Sequence, residues 1–113
     1  MSCRTFIQMA DWKRIAAVDD CPPQTSLEIV VDSAVIALFN VDGQLFALDG
    51  ICPHQGGPLG KGQLADTTIT CPWHGWQFDV CSGQNGVNPA IVQPAYEVKV
   101  EQGEIYVRVA SSE

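Results

Sequence analysis

The sequence predicts an all-β fold, and three observations carry that prediction. Val, Ile and Thr together number 25, against six Leu and two Met, and such β-branched side chains suit pleated surfaces better than helix faces. Short apolar segments alternate with turns rich in Pro and Gly, as in small sandwiches and barrels. Near the end of the chain Tyr96, Val98 and Val100 alternate with Glu97, Lys99 and Glu101, Gln102-Gly103 turns, and Ile105, Val107 and Val109 alternate with Tyr106 and Arg108. Period two on both sides of a glycine turn is the mark of a β-hairpin.

Six segments read as strands. Residues 5–10 form an edge strand, and residues 11–18 read as a short helical turn ahead of the Cys21-Pro22-Pro23 break. Residues 27–31 and 34–40 come next. Val41-Asp42-Gly43-Gln44 then turns the chain into residues 45–49, with Asp-Gly supplying the positive φ of a tight hairpin. These strands make an antiparallel meander, and the terminal hairpin completes the set. Between the two β regions, residues 51–94 hold both His, two of the three Trp and three of the five Cys. Function is sought there, because loops on a rigid frame carry most chemistry.

With 113 residues and 46% apolar content, the chain reads as a single domain, 1–113, with one modest core. Six Lys or Arg against thirteen Asp or Glu leave a net charge of -7, which excludes a phosphate-neutralising nucleic-acid binder and fits a basic or neutral protein partner. No apolar run approaches the roughly 20 residues that span a bilayer, and the start lacks a basic segment followed by an apolar one. The expectation is a cytoplasmic protein with no membrane association. Thiols are kept reduced there, so the five cysteines read as ligands or free thiols.

Cys52-Pro53-His54 is followed, after sixteen residues, by Cys71-Pro72-Trp73-His74. Two short loops thus each offer a thiolate and an imidazole, a Cys2His2 donor set that suits either zinc or an iron-sulfur cluster. Proline stiffens both loops, and Gly56, Gly57 and Gly75 permit unusual φ. Zinc fingers usually pair Cys with Cys and His with His. Here each half-site is mixed, which suits a two-iron cluster with both thiolates on one iron and both imidazoles on the other.

Within Cys-Pro-His-Gln-Gly-Gly-Pro-Leu and Cys-Pro-Trp-His-Gly-Trp-Gln-Phe-Asp this pattern resembles the Rieske family, directly over residues 52–79. Length and flanking hairpins resemble its stand-alone ferredoxins and the small subunit of assimilatory NAD(P)H nitrite reductase. The resemblance implies a Rieske fold of three antiparallel β-sheets, with the [2Fe-2S] cluster held by two loops, within residues 51–79, at one tip. It implies that Cys52 and Cys71 hold the inner iron, and His54 and His74 the outer one. It also implies an electron carrier between a flavin-dependent reductase and a Rieske oxygenase, a monomer when free. The alternative is a permanent subunit on a nitrite reductase large chain.

The donor set shapes the redox expectation. Two ferric ions, two sulfides and two thiolates sum to zero charge with neutral His, so an electron is accepted more readily than by an all-thiolate cluster. Some pH dependence of the potential is expected from the imidazoles. Respiratory members of the family carry an additional disulfide and hydroxyl groups beside the cluster, but here Trp73, Trp76 and Phe78 stand at the second-loop positions of Cys, Ser and Tyr. Fewer hydrogen bonds to sulfur place the expected potential near the low end of the Rieske range, about -150 mV rather than +300 mV. Ring-hydroxylating oxygenases add a mononuclear iron on two His and a carboxylate. No His remains for one, so the chain is expected to carry electrons and to have no catalytic residues.

Other residues have plainer expectations. Cys81 reads as a small packing residue, Cys3 and Cys21 receive no role, and Trp76 shields the cluster from water. Asn88-Pro89-Ala90 resembles the family's proline loop over the cluster, and Pro58 and Leu59 are expected on the first loop's rim in an apolar docking ring. Acidic residues outside the loops would, if they formed a face, steer a basic partner.

Overall fold

The computed structural model describes residues 12–31, 34–52, 56–73 and 75–108. Nine strands and two 3-10 turns make up the described chain, with no α-helix. The strand expected over residues 5–10 lies outside the described residues.

Strand β1, Trp12–Ala17, replaces the expected helical turn. It pairs antiparallel with the last strand, and its register shifts between Arg14 and Ala16. That irregularity adds a residue to one strand and breaks period two, so the apolar positions Trp12, Ile15 and Ala16 imitate helical spacing. Helical geometry follows only after the strand, in a 3-10 turn at Val18–Asp20, where Asp20 Oδ2 accepts the Ala17 N–H at 3.0 Å.

Strands β2 (Thr25–Val31), β3 (Ala34–Val41) and β4 (Gln44–Asp49) form the expected meander. Asp42 (φ 54°) and Gly43 (φ 93°) turn β3 into β4 with two successive left-handed residues, the hairpin geometry that matches strand twist. Three short strands follow: β5 (Gln63–Ala65), β6 (Thr68–Thr70) and β7 (Gln77–Asp79). The chain returns through β8 (Ala95–Glu101) and β9 (Glu104–Arg108), the terminal hairpin read from the alternation.

Pairing produces a six-stranded sheet, β1-β9-β8-β4-β3-β2, and a three-stranded sheet, β5-β6-β7. The larger sheet consists of two three-stranded halves. They are joined only at Ala47↔Tyr96 and Leu48↔Ala95, which is why three expected sheets appear as two. Its outer strands β1 and β2 come into contact, so the sheet curls on itself. Ile36, Leu38, Ala47, Ile105 and Val107 fill the curl. The opposite faces of β3 and β4 present Ala37, Phe39, Phe46 and Leu48 to the small sheet, against Ile69, Phe78 and Val80. Strand β3 is therefore buried on both faces, which explains its unbroken apolar run from Ala34 to Phe39.

Candidate metal centre

Cys52 lies three residues past β4, and Cys71 follows β6 directly. Each is 1% exposed, and both belong to the core cluster between the large sheet and the small one. His54 and His74 lie outside the described residues, as do Pro53 and Gln55.

Each loop is closed by backbone hydrogen bonds. Cys52 N–H donates to Gly57 O at 2.8 Å, and Gly56 N–H donates to Cys52 O at 3.0 Å. In the second loop Cys71 N–H donates to Trp76 O at 2.7 Å. Gly56 (φ 75°) and Gly75 (φ 74°) take the left-handed conformation expected of them. Gly57 serves otherwise: its φ is not positive, but a Cβ there would lie 2.6 Å from Cys71 Sγ and 3.0 Å from Trp73 Cβ. Hydrogen in place of a side chain lets the first loop's backbone rest on the second loop's sulfur. The two loops are therefore in direct contact, with both cysteines in one buried cluster, and thiolates so placed fit the inner half of a two-iron donor set.

The surroundings are apolar and partly open. Trp76 packs on the core cluster, its ring centroid 6.3 Å from that of Phe78, as expected of a shield. Trp73 is 48% exposed and Ile51 50%. A cavity of about 340 Å³ beside the second loop is lined by Gly75, Trp76, Val87, Asn88 and Ile91, so the segment containing Asn88-Pro89-Ala90 does reach the ligand region. Asn85 shapes that segment, its Oδ1 accepting the N–H groups of Val87 and Asn88 at 2.9 and 2.8 Å. Leu59 departs from expectation: it is fully buried, because the 3-10 turn Leu59–Lys61 directs it into the core against β2 and β3. Cys81 is disulfide-bonded and only half-buried. The disulfide corrects the expectation that all five cysteines are ligands or free thiols, while the packing role holds, since Cys81 rests on the core cluster at its edge, in a turn where Asp79 Oδ1 accepts the Cys81 and Ser82 N–H groups.

Sequence reasoning missed Gln93. Its side chain is buried, and Nε2 donates to Asp49 O and Ile51 O, each at 2.7 Å. A lone Gln in a loop carries no periodic or spacing signal. The acids Asp19, Asp20, Asp42, Glu101 and Glu104 lie at the hairpin-turn end of the large sheet, whereas Cys52 follows the other end of β4. At about 3.4 Å per residue that separates them by on the order of 20 Å, so these acids do not surround the cysteines.

A match to the Rieske [2Fe-2S] domain family spans residues 11–107. The chain belongs to the Rieske [2Fe-2S] family. As a Rieske protein it carries one Rieske-type [2Fe-2S] cluster, and it is an electron-transfer protein of the ferredoxin kind, not an enzyme in itself. Among its relatives, ferredoxin CarAc of Metapseudomonas resinovorans is 35% identical over 98 residues, covering 85% of this chain and 92% of that one. The ferredoxin in a solved complex of reduced oxygenase and oxidised ferredoxin of carbazole 1,9a-dioxygenase is similar at a TM-score of 0.79 and 32% identity, covering 90% of this chain and 96% of that one. A nitrite reductase NADPH small subunit shares the fold, with a TM-score of 0.77 at 18% identity over 88% of this chain and 99% of that one. That likeness concerns the fold alone. Among the described residues no helix is long and apolar enough to cross a membrane.

Proposed function

We propose that the whole chain, 1–113, is one Rieske domain in which Cys52 and Cys71 hold one iron, and His54 and His74 the other. The carrying observation is the pair of buried cysteines in one core cluster, with Gly57 seated on Cys71 Sγ. When bound, the cluster supplies one-electron redox chemistry. The chain's own residues set its surroundings. Phe78, Ile69 and Leu59 exclude water from the inner side, and Trp76 and Phe78 offer no hydroxyl where respiratory members have one. That supports a potential near the low end of the range, about -150 mV.

The chain takes single electrons from a flavin-dependent reductase and delivers them to a terminal Rieske oxygenase, in the cytoplasm and as a monomer when free. Similarity to the ferredoxin of an oxygenase complex supports this reading over the nitrite reductase subunit, and no nucleic acid or membrane enters it. Partners approach at the loop end, where Trp73, Ile51 and Val87 are exposed, since electron transfer requires proximity to the cluster.

The test pairs paramagnetic resonance with turnover. Dithionite-reduced protein is expected to show a rhombic signal with mean g near ~1.9, and Cys71→Ser to lose both signal and colour while keeping its β-type circular dichroism. Purified protein should pass electrons from a separate reductase to a separate oxygenase. A colourless zinc protein would refute the cluster reading, and a clearly positive midpoint potential would refute the low-potential reading; obligate copurification with a large catalytic chain would refute the shuttle.

A further inference from the structure

The segment entering the first ligand loop is held at several points. Gly50 N–H donates to Val35 O at 2.8 Å, Asp49 N–H to Pro94 O at 2.8 Å, and Ile51 N–H to Asp49 Oδ1 at 3.0 Å. The carbonyls of Asp49 and Ile51 are both taken by one side chain, the amide of Gln93. Gln93 is 2% exposed, and its own N–H donates to Gly83 O at 2.7 Å. Both N–H groups of its Nε2 are thereby used on residues 49 and 51, either side of Gly50.

The second of these bonds reaches further. Ile51 C=O and Cys52 N–H belong to one peptide group, so an N–H donated to that carbonyl polarises the group and strengthens the bond its own N–H makes. Cys52 N–H donates to Gly57 O at 2.8 Å. Gly57 in turn has no room for a Cβ against Cys71 Sγ. A continuous chain therefore runs from the Gln93 amide, through the Ile51–Cys52 peptide, across the first loop to Gly57 and onto the sulfur of the second loop.

We propose that Gln93 is a positioning residue of the cluster site: from the loop that precedes β8, it sets the first ligand loop against the Cys71 sulfur and so tunes cluster retention and potential. The proposal rests on Cys52 and Cys71 being ligands. Replacing the amide by an apolar group leaves two carbonyls without their donors, which is the costly way to lose a hydrogen bond. A loosened loop also admits water near the sulfurs. Water stabilises the more negative reduced state, so the potential rises.

The experiment compares Gln93→Met, of similar length and without a donor, with Gln93→Glu, of the same shape but with an acceptor facing two carbonyls. Val92→Ala, next to Gln93 in the same loop and 53% exposed, serves as control. Iron release to a chelator is expected to quicken about tenfold in both Gln93 variants, with a rise in midpoint potential and altered g values of the reduced protein. The control is expected to match the parent. A fall in thermal stability with unchanged potential, g values and release rate in either folded variant would overturn the positioning role and leave a structural one. Should Gln93→Met fail to fold, Gln93→Glu decides the question by the same readouts. Failure of the ligand assignment looks different: the parent itself would then lack the rhombic signal.

Discussion

The curled six-stranded sheet and the small lobe of β5, β6 and β7 with its loops are built on different physics. Strands of five to eight residues make the curl, its interior is mainly apolar, with the Cys21 thiol and the buried Asn40 amide, which donates to Cys21 O, among it, and two of its hairpins close through paired left-handed residues. The lobe has strands of three residues, too short to persist by themselves. Its segments are held by single side chains that accept or donate to the backbone: Asn85 in the segment beside the second loop, Asp79 in the turn at Cys81, and Gln93 at the first loop. Hydrophobic burial is non-directional and tolerates adjustment, whereas a hydrogen bond to a named carbonyl specifies position. A frame made by the first and a site made by the second is the division of labour expected where two ligand loops must meet.

Matched truncations break that division most sharply. Leu38→Ala, inside the curl, and Phe78→Ala, beside the cysteines, should each cost about 3–5 kcal/mol in chemical denaturation. Below its unfolding transition Leu38→Ala is expected to keep the parent's visible spectrum. Phe78→Ala should bleach before it unfolds, because its cavity opens on the cluster side. Identical spectra in both would mean that the lobe is no more than an extension of the frame.

The two loop glycines sharpen the contrast at smaller scale. Gly57→Ala puts a methyl 2.6 Å from Cys71 Sγ, and iron content is expected to fall several-fold. Gly75→Ala meets nothing within 4 Å but must hold φ near 74°, at a cost of about 1 kcal/mol with iron retained. Metal analysis of the two purified variants reads the difference.

The smallest effect concerns Cys21, fully buried in the curl, with its thiol within 3.5 Å of Thr25 O. Burial, assisted by Asp20, pushes its pKa from 9.0 up to about 11. The folded thiol stays neutral where the unfolded one ionises, so its contribution to stability is present below pH 9 and is lost as pH rises towards about 11. Urea midpoints at pH 8 and pH 10 should drop less for Cys21→Ala than for the parent. An equal drop would assign the alkaline sensitivity to groups other than Cys21, Tyr96 among them, whose pKa burial also raises.

Much of the frame was legible because periodicity reports burial directly. The alternation from Tyr96 to Arg108 and the Asp42-Gly43 turn appear where their residues placed them. Trp12–Ala17 was misread because a β-bulge removes period two from a real strand. The strands β5, β6 and β7 escaped because three residues hold too little of any period. At the site, cysteine and histidine spacing pointed to the loops we propose as ligand loops, since chemistry so restricts the residue types. Leu59 was misplaced because an exposed-looking turn can still direct one side chain inward.

By itself the sequence determined the β class and the turns of two hairpins, and it pointed to the Cys and His donor set we propose, all properties of neighbours along the chain. Only the tertiary structure decided that Cys52 and Cys71 share one buried cluster, that Gly57 must lack a side chain, and that Gln93 braces the loop more than forty residues before it. Those are contacts between distant segments. Their energies depend on where the sheets bring backbone groups together, and no local pattern encodes that.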